Sequence, residues 1–184
     1  MSGSDLQVKG FAWLNLLGLV RERFGADGLA DLKAAFPQHA GFFDEATVLP
    51  VAWVPGALHC GAIAWLVQHR FGGSVQGAQE IGTLLSSRNV SSTFRSLSRL
   101  EDLRTALHST QRAFAQFYSR GTMAFTVKDD VLEARLTDFP AASLVMGHSL
   151  GAGLVTFLRA GHLEAKLLRV DVGPDSIAYD IKLR

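Results

Sequence analysis

The sequence has 184 residues, of which 48% are hydrophobic, and a formal net charge of +1. This size and hydrophobic content predict one globular domain spanning residues 1–184, with a sizeable buried core. The small net charge, with basic residues spread along the chain, excludes a protein built to bind nucleic acid or an acidic membrane surface.

The first part of the chain, residues 1–120, is predicted to be mainly helical. Apolar residues recur at helical spacing, and glycine or proline marks most helix ends. The predicted helices cover 11–24, 27–36, 55–71, 75–87 and 101–119, and 91–100 is a short helix or turn. Residues 47–53 form a short strand or turn within a loop.

The last part, residues 121–184, changes to a period of two. Met123, Phe125 and Val127 begin one predicted hairpin, and a second hairpin turns at 173–176. Between the hairpins lies a glycine-rich segment, 140–161, that is predicted to be a helix. The predicted fold class is therefore α+β, with N-terminal helices packed against a C-terminal four-stranded antiparallel sheet in strand-strand-helix-strand-strand order.

The glycine-rich segment contains Gly-His-Ser-Leu-Gly at residues 147–151, which matches the nucleophile elbow of serine hydrolases. In that fold an acid and then a histidine follow the serine. Here His162 is the only histidine after Ser149, and every later acid follows it. We therefore interpret Gly147 and Gly151 as close-packing residues one helical turn apart. A serine hydrolase using Ser149 remains the alternative function.

The single cysteine, Cys60, excludes an internal disulfide and favours a reducing compartment. The N-terminal residues lack the basic and then apolar order of a signal peptide. The uncharged stretch 141–158 contains glycines and hydroxyl residues, so we interpret it as a buried helix rather than a membrane span. A cytoplasmic protein is expected. No cysteine or histidine spacing typical of a metal site occurs, so no metal is expected.

A ligand pocket is predicted beside the amphipathic helix 101–119. Gln111 borders the apolar stripe of this helix at about 100° per residue. It is either a boundary amide bonded to backbone or water, or a polar anchor in the pocket. The second interpretation adds His59 as a further anchor, with Trp53, Phe114 and Tyr118 as walls.

Several short motifs resemble one superfamily. The opening 8–11 and the segment 16–25 are similar to the first helix of heme–nitric-oxide-binding domains. The glycine-rich run 147–154, with 167–170 and 179–181, is similar to the last part of 4-vinyl-reductase sensor domains. The chain thus resembles the ligand-binding domain superfamily of nitric-oxide signalling and Golgi transport. It also resembles a family of proteins of about this length from myxobacteria.

This resemblance implies a non-enzymatic regulatory or sensory module. Such a module would bind a small apolar ligand or act as a dimeric protein-interaction scaffold, as a homodimer with a signalling partner. In the heme-binding members an iron-ligating histidine falls at the position of Gln111, so no heme or other cofactor is expected. Cysteines of the 4-vinyl-reductase members fall near Val172 and Ile177, which again implies no metal.

Overall fold

The computed structural model describes residues 5–93 and 103–183, apart from the side chains of 90–93 and 104. Its elements in chain order are β1 (Gln7–Lys9), α1 (Gly10–Ala35), a 3-10 helix (Pro37–Phe43), β2 (Trp53–Pro55), α2 (Gly56–Phe71), α3 (Val75–Thr93), α4 (Leu103–Phe117), β3 (Thr122–Lys128), β4 (Val131–Thr137), α5 (Leu144–Ala160), β5 (Ala165–Val172) and β6 (Ile177–Leu183). The predicted α+β class is confirmed, and β1 is a strand that was not predicted from the sequence.

The two helices predicted at the N-terminus are joined in α1. At Gly25 the backbone adopts φ 72° and ψ −170°, which is not helical, so the helix bends there. A positive φ of this size favours glycine because it has no Cβ. Ser74 starts α3 as predicted, since its Oγ accepts a hydrogen bond of 3.1 Å from the backbone N–H of Gly77.

Two of the predicted segments have different bounds in the structure. The segment 47–53, predicted to be a short strand or turn, contains a turn closed by a hydrogen bond from the N–H of Ala52 to the carbonyl oxygen of Leu49, and the strand β2 begins after it at Trp53. The strand pairs antiparallel with β1. Of the segment predicted at 91–100, residues 91–93 continue α3, and 94–100 lie outside the described residues.

The second part forms a four-stranded antiparallel sheet in the order β3-β4-β6-β5. The register of the two central strands places Leu132 opposite Ile181 and Ala134 opposite Tyr179. All four residues are buried, because residues two apart on a strand share one face of the sheet. The predicted strand-strand-helix-strand-strand arrangement is therefore confirmed.

Helix α5 lies close against the buried face of the sheet. A Cβ atom added at Gly147 would lie 2.9 Å from Cγ1 of Val170. One added at Gly151 would lie 3.0 Å from both Cδ2 of Leu167 and Cε1 of Tyr179. Contacts this short are rare for real Cβ atoms, so a larger residue at either position would force the neighbouring side chains or the helix to shift, whereas glycine fits the observed helix-to-sheet distance.

The opposite side of α5 packs on α3. A Cβ added at Gly82 would overlap the backbone carbonyl oxygen of Ser149, and one added at Gly153 would lie 2.5 Å from Oγ of Ser86. Each helix thus presents a glycine to the other: Gly82 of α3 faces α5, and Gly153 of α5 faces α3. Helix α5 is consequently the central layer between the sheet and the N-terminal helices.

Among the described residues, no helix combines the length and the apolar character that crossing a membrane requires.

Candidate functional site

A cavity of about 120 Å³ lies beside the contact between α3 and α5. Helices α2 and α4 and the start of β3 complete its walls. Apolar side chains dominate the lining, including Ile63, Leu85, Phe114, Leu154 and Phe157. Its polar lining residues are His59, Ser86, Asn89, Thr110, Tyr118 and Ser149. Such an apolar cavity with a few polar groups has the character of a small-molecule site.

The structure brings together three of the five pocket residues predicted from the sequence. His59 of α2, Phe114 of α4 and Tyr118 just after α4 all line the cavity. The aromatic ring centroids of Phe114 and Tyr118 are 4.9 Å apart, and those of His59 and Tyr118 are 6.2 Å apart. The imidazole therefore packs edge-on against an aromatic wall.

Gln111 does not line the cavity. Its side chain is exposed, and its Nε2 atom donates a 2.9 Å hydrogen bond to the carbonyl oxygen of Met123. The geometry matches the boundary amide bonded to backbone, one of the two interpretations open from the sequence. Its neighbour Thr110 faces the cavity instead, with its hydroxyl donating to the carbonyl oxygen of Ala106 at 2.8 Å.

Trp53 also lies apart from the cavity. Its side chain is 40% exposed on β2, and the Nζ atom of Lys9 lies 3.8 Å from its ring centroid. Together with His39 and Phe42 it borders a separate open cleft beside the 3-10 helix. A cation over an indole face is a stabilising contact in its own right.

His59 is the most unusual polar residue of the cavity wall. It is 3% exposed, and its Nδ1 atom has no hydrogen-bond partner in the described part of the chain. Burial lowers the pKa of this imidazole to about 4, because a charged ring would lose its solvation. The side chain is therefore neutral at pH 7, with a basic nitrogen lone pair.

Three further titratable residues, Cys60, Tyr118 and Tyr179, are buried and carry their protons at neutral pH. Burial raises the pKa of the Cys60 thiol to about 12. Burial also raises the pKa of Tyr118, helped by the neighbouring Cys60 and Tyr179. The hydroxyl of Tyr179 likewise has a raised pKa through burial, and no partner among the described residues. These three groups can donate a hydrogen bond, whereas the unprotonated ring nitrogen of His59 can only accept one.

Ser149 contributes its side chain to the cavity but not in the geometry of a nucleophile elbow. It is 4% exposed and lies inside α5, a helix whose first turn is capped by Ser143 accepting from the N–H of Met146 at 3.2 Å. An elbow is a sharp turn between a strand and a helix. Residues 147–151 are helical throughout.

Sequence reasoning did not identify the walls supplied by α3 and α5. Leu85, Ser86 and Asn89 line the cavity from α3, and Ser149 and Phe157 line it from α5. The available signal was the concentration of small residues in both helices, which allows two helices to approach closely. From the sequence, these glycines predict close packing of the helix but do not identify α3 as its neighbour.

Solved structures with the same fold are known. An H-NOX protein from K. algicida, described as an Fe(II) unliganded mutant, superposes with a TM-score of 0.70 at 13% identity, covering 96% of each chain. An H-NOX protein from S. oneidensis in the Fe(II)NO ligation state gives 0.70 at 13%, covering 96% of this chain and 99% of its own. A third, from work on heme distortion in the H-NOX family, gives 0.65 at 12%, covering 96% and 95%.

No family model matches the sequence, and no curated protein matches it either. The resemblance to the heme–nitric-oxide-binding members is confirmed at the level of the fold. The resemblance to 4-vinyl-reductase domains and to the myxobacterial family stays a prediction.

The structural comparison corrects the expectation about cofactors. The sequence-based expectation that the chain takes no heme is wrong on this comparison, because the neighbouring structures are described with Fe(II) or heme. The expectation depended on one position, Gln111. The other predicted polar anchor, His59 of α2, does line the cavity, and burial keeps its imidazole neutral.

Proposed function

We propose that this chain is a sensory module that holds a heme-class group in the cavity between α2, α3, α4 and α5. The observation that carries the proposal is an apolar cavity with a buried, neutral and unpartnered imidazole, in a fold shared with iron-containing H-NOX proteins over 96% of the chain. When bound, a heme supplies an iron with a coordination position for a small gaseous ligand.

The residues of this chain have three tasks in the proposal. Ile63, Leu85 and Leu154 contribute apolar surface that favours binding of the macrocycle and excludes water. Phe114 supplies an aromatic face against it. His59 holds its nitrogen unprotonated in the same space. As they stand the walls enclose about 120 Å³, which is less than a heme-sized macrocycle occupies, so α3 and α5 would have to move apart to hold it.

Such a separation of α3 from α5 would be the signal in this proposal. Helices α3 and α5 meet through glycines and hydroxyls at Gly82, Ser86 and Gly153, with little side-chain bulk to interlock them. A change of group or ligand in the cavity alters this contact directly. Because α5 also lies on the sheet, the change reaches the second half of the molecule, where a partner protein can read it.

The test is to produce the chain with added heme precursor and record its absorption spectrum and native mass. A Soret band with one heme per chain is the expected result. A chain that takes up no heme during production, and whose melting temperature is unchanged by added hemin, would contradict the proposal. The same native mass reports whether the predicted homodimer forms.

A matched pair of variants tests whether the group binds in the cavity. Ala113 lines the cavity, whereas Ala115 of the same helix is exposed. Ala113→Phe fills part of the space and is expected to reduce heme binding at least tenfold, while Ala115→Phe leaves it unchanged. Equal heme binding by the two variants would place the group elsewhere.

A second candidate is favoured by the cavity volume. An engineered cavity of about 150 Å³ lined by apolar side chains binds benzene or xenon, and this cavity is close to that size. A small apolar ligand then occupies it directly, as the sequence predicts. Under this alternative benzene raises the melting temperature of the heme-free chain, and Ala113→Phe abolishes the rise.

A further inference from the structure

The further inference concerns the open cleft beside the 3-10 helix, and it does not depend on what the cavity holds. Trp53, which the sequence predicts to be a pocket wall, lines this cleft instead of the cavity. The cleft has a volume of about 380 Å³, compared with about 120 Å³ for the cavity, and the two share no lining residue. Small-molecule sites in proteins have volumes of about 300 to 1,000 Å³, so the cleft has the size of a ligand site.

The walls of the cleft are partly aromatic. His39 and Phe42 of the 3-10 helix border it, with their ring centroids 6.2 Å apart, and Trp53 of β2 borders it as well. Two further apolar side chains beside Trp53 are exposed, Leu49 at 63% and Val51 at 75%. Apolar and aromatic surface clustered in this way is typical of a surface that a ligand or partner covers.

The free edge of β2 supplies backbone groups to the cleft. The N–H of Gly10 donates to the carbonyl oxygen of Ala52 at 2.8 Å, and Lys9–Trp53 is the next pair of the register. Hydrogen-bonded pairs alternate along an antiparallel ladder, so the N–H of Trp53 points away from β1. In the described part of the chain β1 is the only strand beside β2. Residues 52–54 all line the cleft although their side chains alternate in direction, so the cleft borders this edge.

Lys9 adds a positive charge beside Trp53. Its Nζ atom lies 3.8 Å from the centroid of the indole ring and donates a 3.0 Å hydrogen bond to the carbonyl oxygen of Val51. An ammonium group has three N–H donors, so it can donate to a ligand as well. Within residues 5–93 and 103–183 no carboxylate forms an ion pair with Lys9.

The acids nearest in sequence to the cleft are engaged elsewhere. Oδ1 of Asp44 accepts a 3.2 Å hydrogen bond from the N–H of Ala46, and Glu45 forms an ion pair with Arg21. Neither carboxylate lines the cleft. A cation and a backbone donor beside aromatic walls favour an anionic aromatic molecule, because hydrogen bonds to a charged acceptor are roughly twice as strong as neutral ones.

We propose that this cleft is a binding site for a small aromatic carboxylate. The ring of the ligand lies against Phe42 and Trp53. Its carboxylate accepts hydrogen bonds from Nζ of Lys9 and from the backbone N–H of Trp53. Because the cleft and the cavity have separate walls, both sites can be occupied in the same molecule.

The experiment titrates naphthoate into the full chain and follows binding by proton–nitrogen correlation NMR. Naphthamide, which has the same rings but no charge, is the matched probe. We expect saturable shifts of the Trp53 indole N–H and of the backbone amides of 38–42 and 47–54, and a roughly fivefold preference for naphthoate over naphthamide. The indole N–H of Trp65, which lies outside the cleft lining, is the internal reference.

Two leucine variants of the 3-10 helix test the location of the site. Gly41 lines the cleft, and a Cβ atom added there meets no atom within 4 Å, so Gly41→Leu adds bulk without a clash. The preceding Ala40 is exposed and lies outside the lining. We expect Gly41→Leu to weaken naphthoate binding about tenfold and Ala40→Leu to leave it unchanged.

Lys9→Met tests the role of the charge. Methionine keeps an apolar stem beside Trp53 but removes the ammonium group. We expect this variant to bind naphthoate and naphthamide equally well, with circular dichroism as the check of folding. If the variant does not fold, the preference of the wild type for naphthoate over naphthamide still decides whether the site selects an anion.

Three results would overturn the proposal. The cleft is not the site if naphthoate causes no saturable shift at Trp53, or if Gly41→Leu and Ala40→Leu bind it equally. The class of ligand is wrong if the wild type binds naphthamide as tightly as naphthoate. All three measurements are independent of heme uptake, so the proposed function and this site succeed or fail separately.

Discussion

The two sides of α5 use small residues in different ways. On the sheet side, Gly147 and Gly151 bring the helix against branched and aromatic side chains with no space left. On the α3 side, Gly82 meets the backbone of Ser149, yet a cavity opens directly beside that contact. Small residues therefore leave no open space between α5 and the sheet, whereas a cavity remains beside the contact between α5 and α3. The predictions below test this contrast.

The largest effect is expected at the tightest point of the α3 side. In Gly82→Ala the new methyl group overlaps the carbonyl oxygen of Ser149, and backbone atoms cannot rotate away. The helices must separate, so we expect a loss of about 4 kcal/mol in the free energy of unfolding, measured by urea denaturation.

Gly153→Ala is the matched control for Gly82→Ala. Its methyl group meets only Oγ of Ser86, which can turn aside, and alanine favours a helix over glycine by roughly 1 kcal/mol. We expect a change of less than about 1 kcal/mol. Equal losses in the free energy of unfolding for Gly82→Ala and Gly153→Ala would show that the two glycines are packed equally tightly.

In the heme-free chain, the titration of His59 in the cavity wall is expected to change the free energy of unfolding by nearly as much as Gly82→Ala does. The unfolded chain protonates His59 near pH 6.5, whereas the folded chain does so only near its lowered pKa of about 4. Between these values the unfolded state binds more protons, so stability falls as the pH falls. The expected loss is about 3 kcal/mol by pH 4.

The measurement is the difference between wild type and His59→Gln across that pH range, because other acid-sensitive groups then cancel. The wild type should lose more stability than the variant as the pH falls from 6.5 to 4. Parallel curves would mean that His59 titrates normally in the folded chain.

A smaller effect is expected on the sheet side. In Gly147→Val the new side chain meets Cγ1 of Val170 and Cγ2 of Val172, whose positions can adjust slightly. We expect a loss of about 2 kcal/mol in urea denaturation. Leu144→Val, at a position of α5 that is 66% exposed, should stay within about 0.5 kcal/mol of wild type.

The smallest effect is expected for Gln111→Ala. It removes the hydrogen bond to Met123 but leaves the cavity lining intact, so we expect a loss of about 0.5 to 1 kcal/mol and no change in heme binding. The exposed Gln116 of the same helix provides the control. A large loss of heme on Gln111→Ala would show that this amide contributes to the site.

The fold was largely predictable because its periodicities are local. Alternation at Met123 and Phe125, and at Ile177 and Tyr179, predicts the hairpins directly. At 47–53 the sequence allowed a strand or a turn, and the structure has both: Pro50 occupies the second position of the turn 49–52, where proline is favoured, and β2 starts after it at Trp53.

The site was only partly predictable because it depends on which helices meet. The stripe of α4 indicates Phe114 and Tyr118, whereas the small residues of α3 and α5 indicate close packing without identifying which helices meet. The orientation of Gln111 was also ambiguous, since one helical position separates a cavity residue from an exposed one. The expectation of no heme depended on the single position Gln111, which lies outside the cavity, whereas the predicted anchor His59 lines it.

The thiol of Cys60 can report how often the interior around α2 opens to solvent. It is the only thiol of the sequence, it is buried next to His59 on α2, and burial raises its pKa to about 12. A thiol reagent therefore modifies it only when the interior around α2 opens. The rate of modification measures the frequency of that opening, and a group bound in the adjacent cavity should slow it without any spectroscopic label.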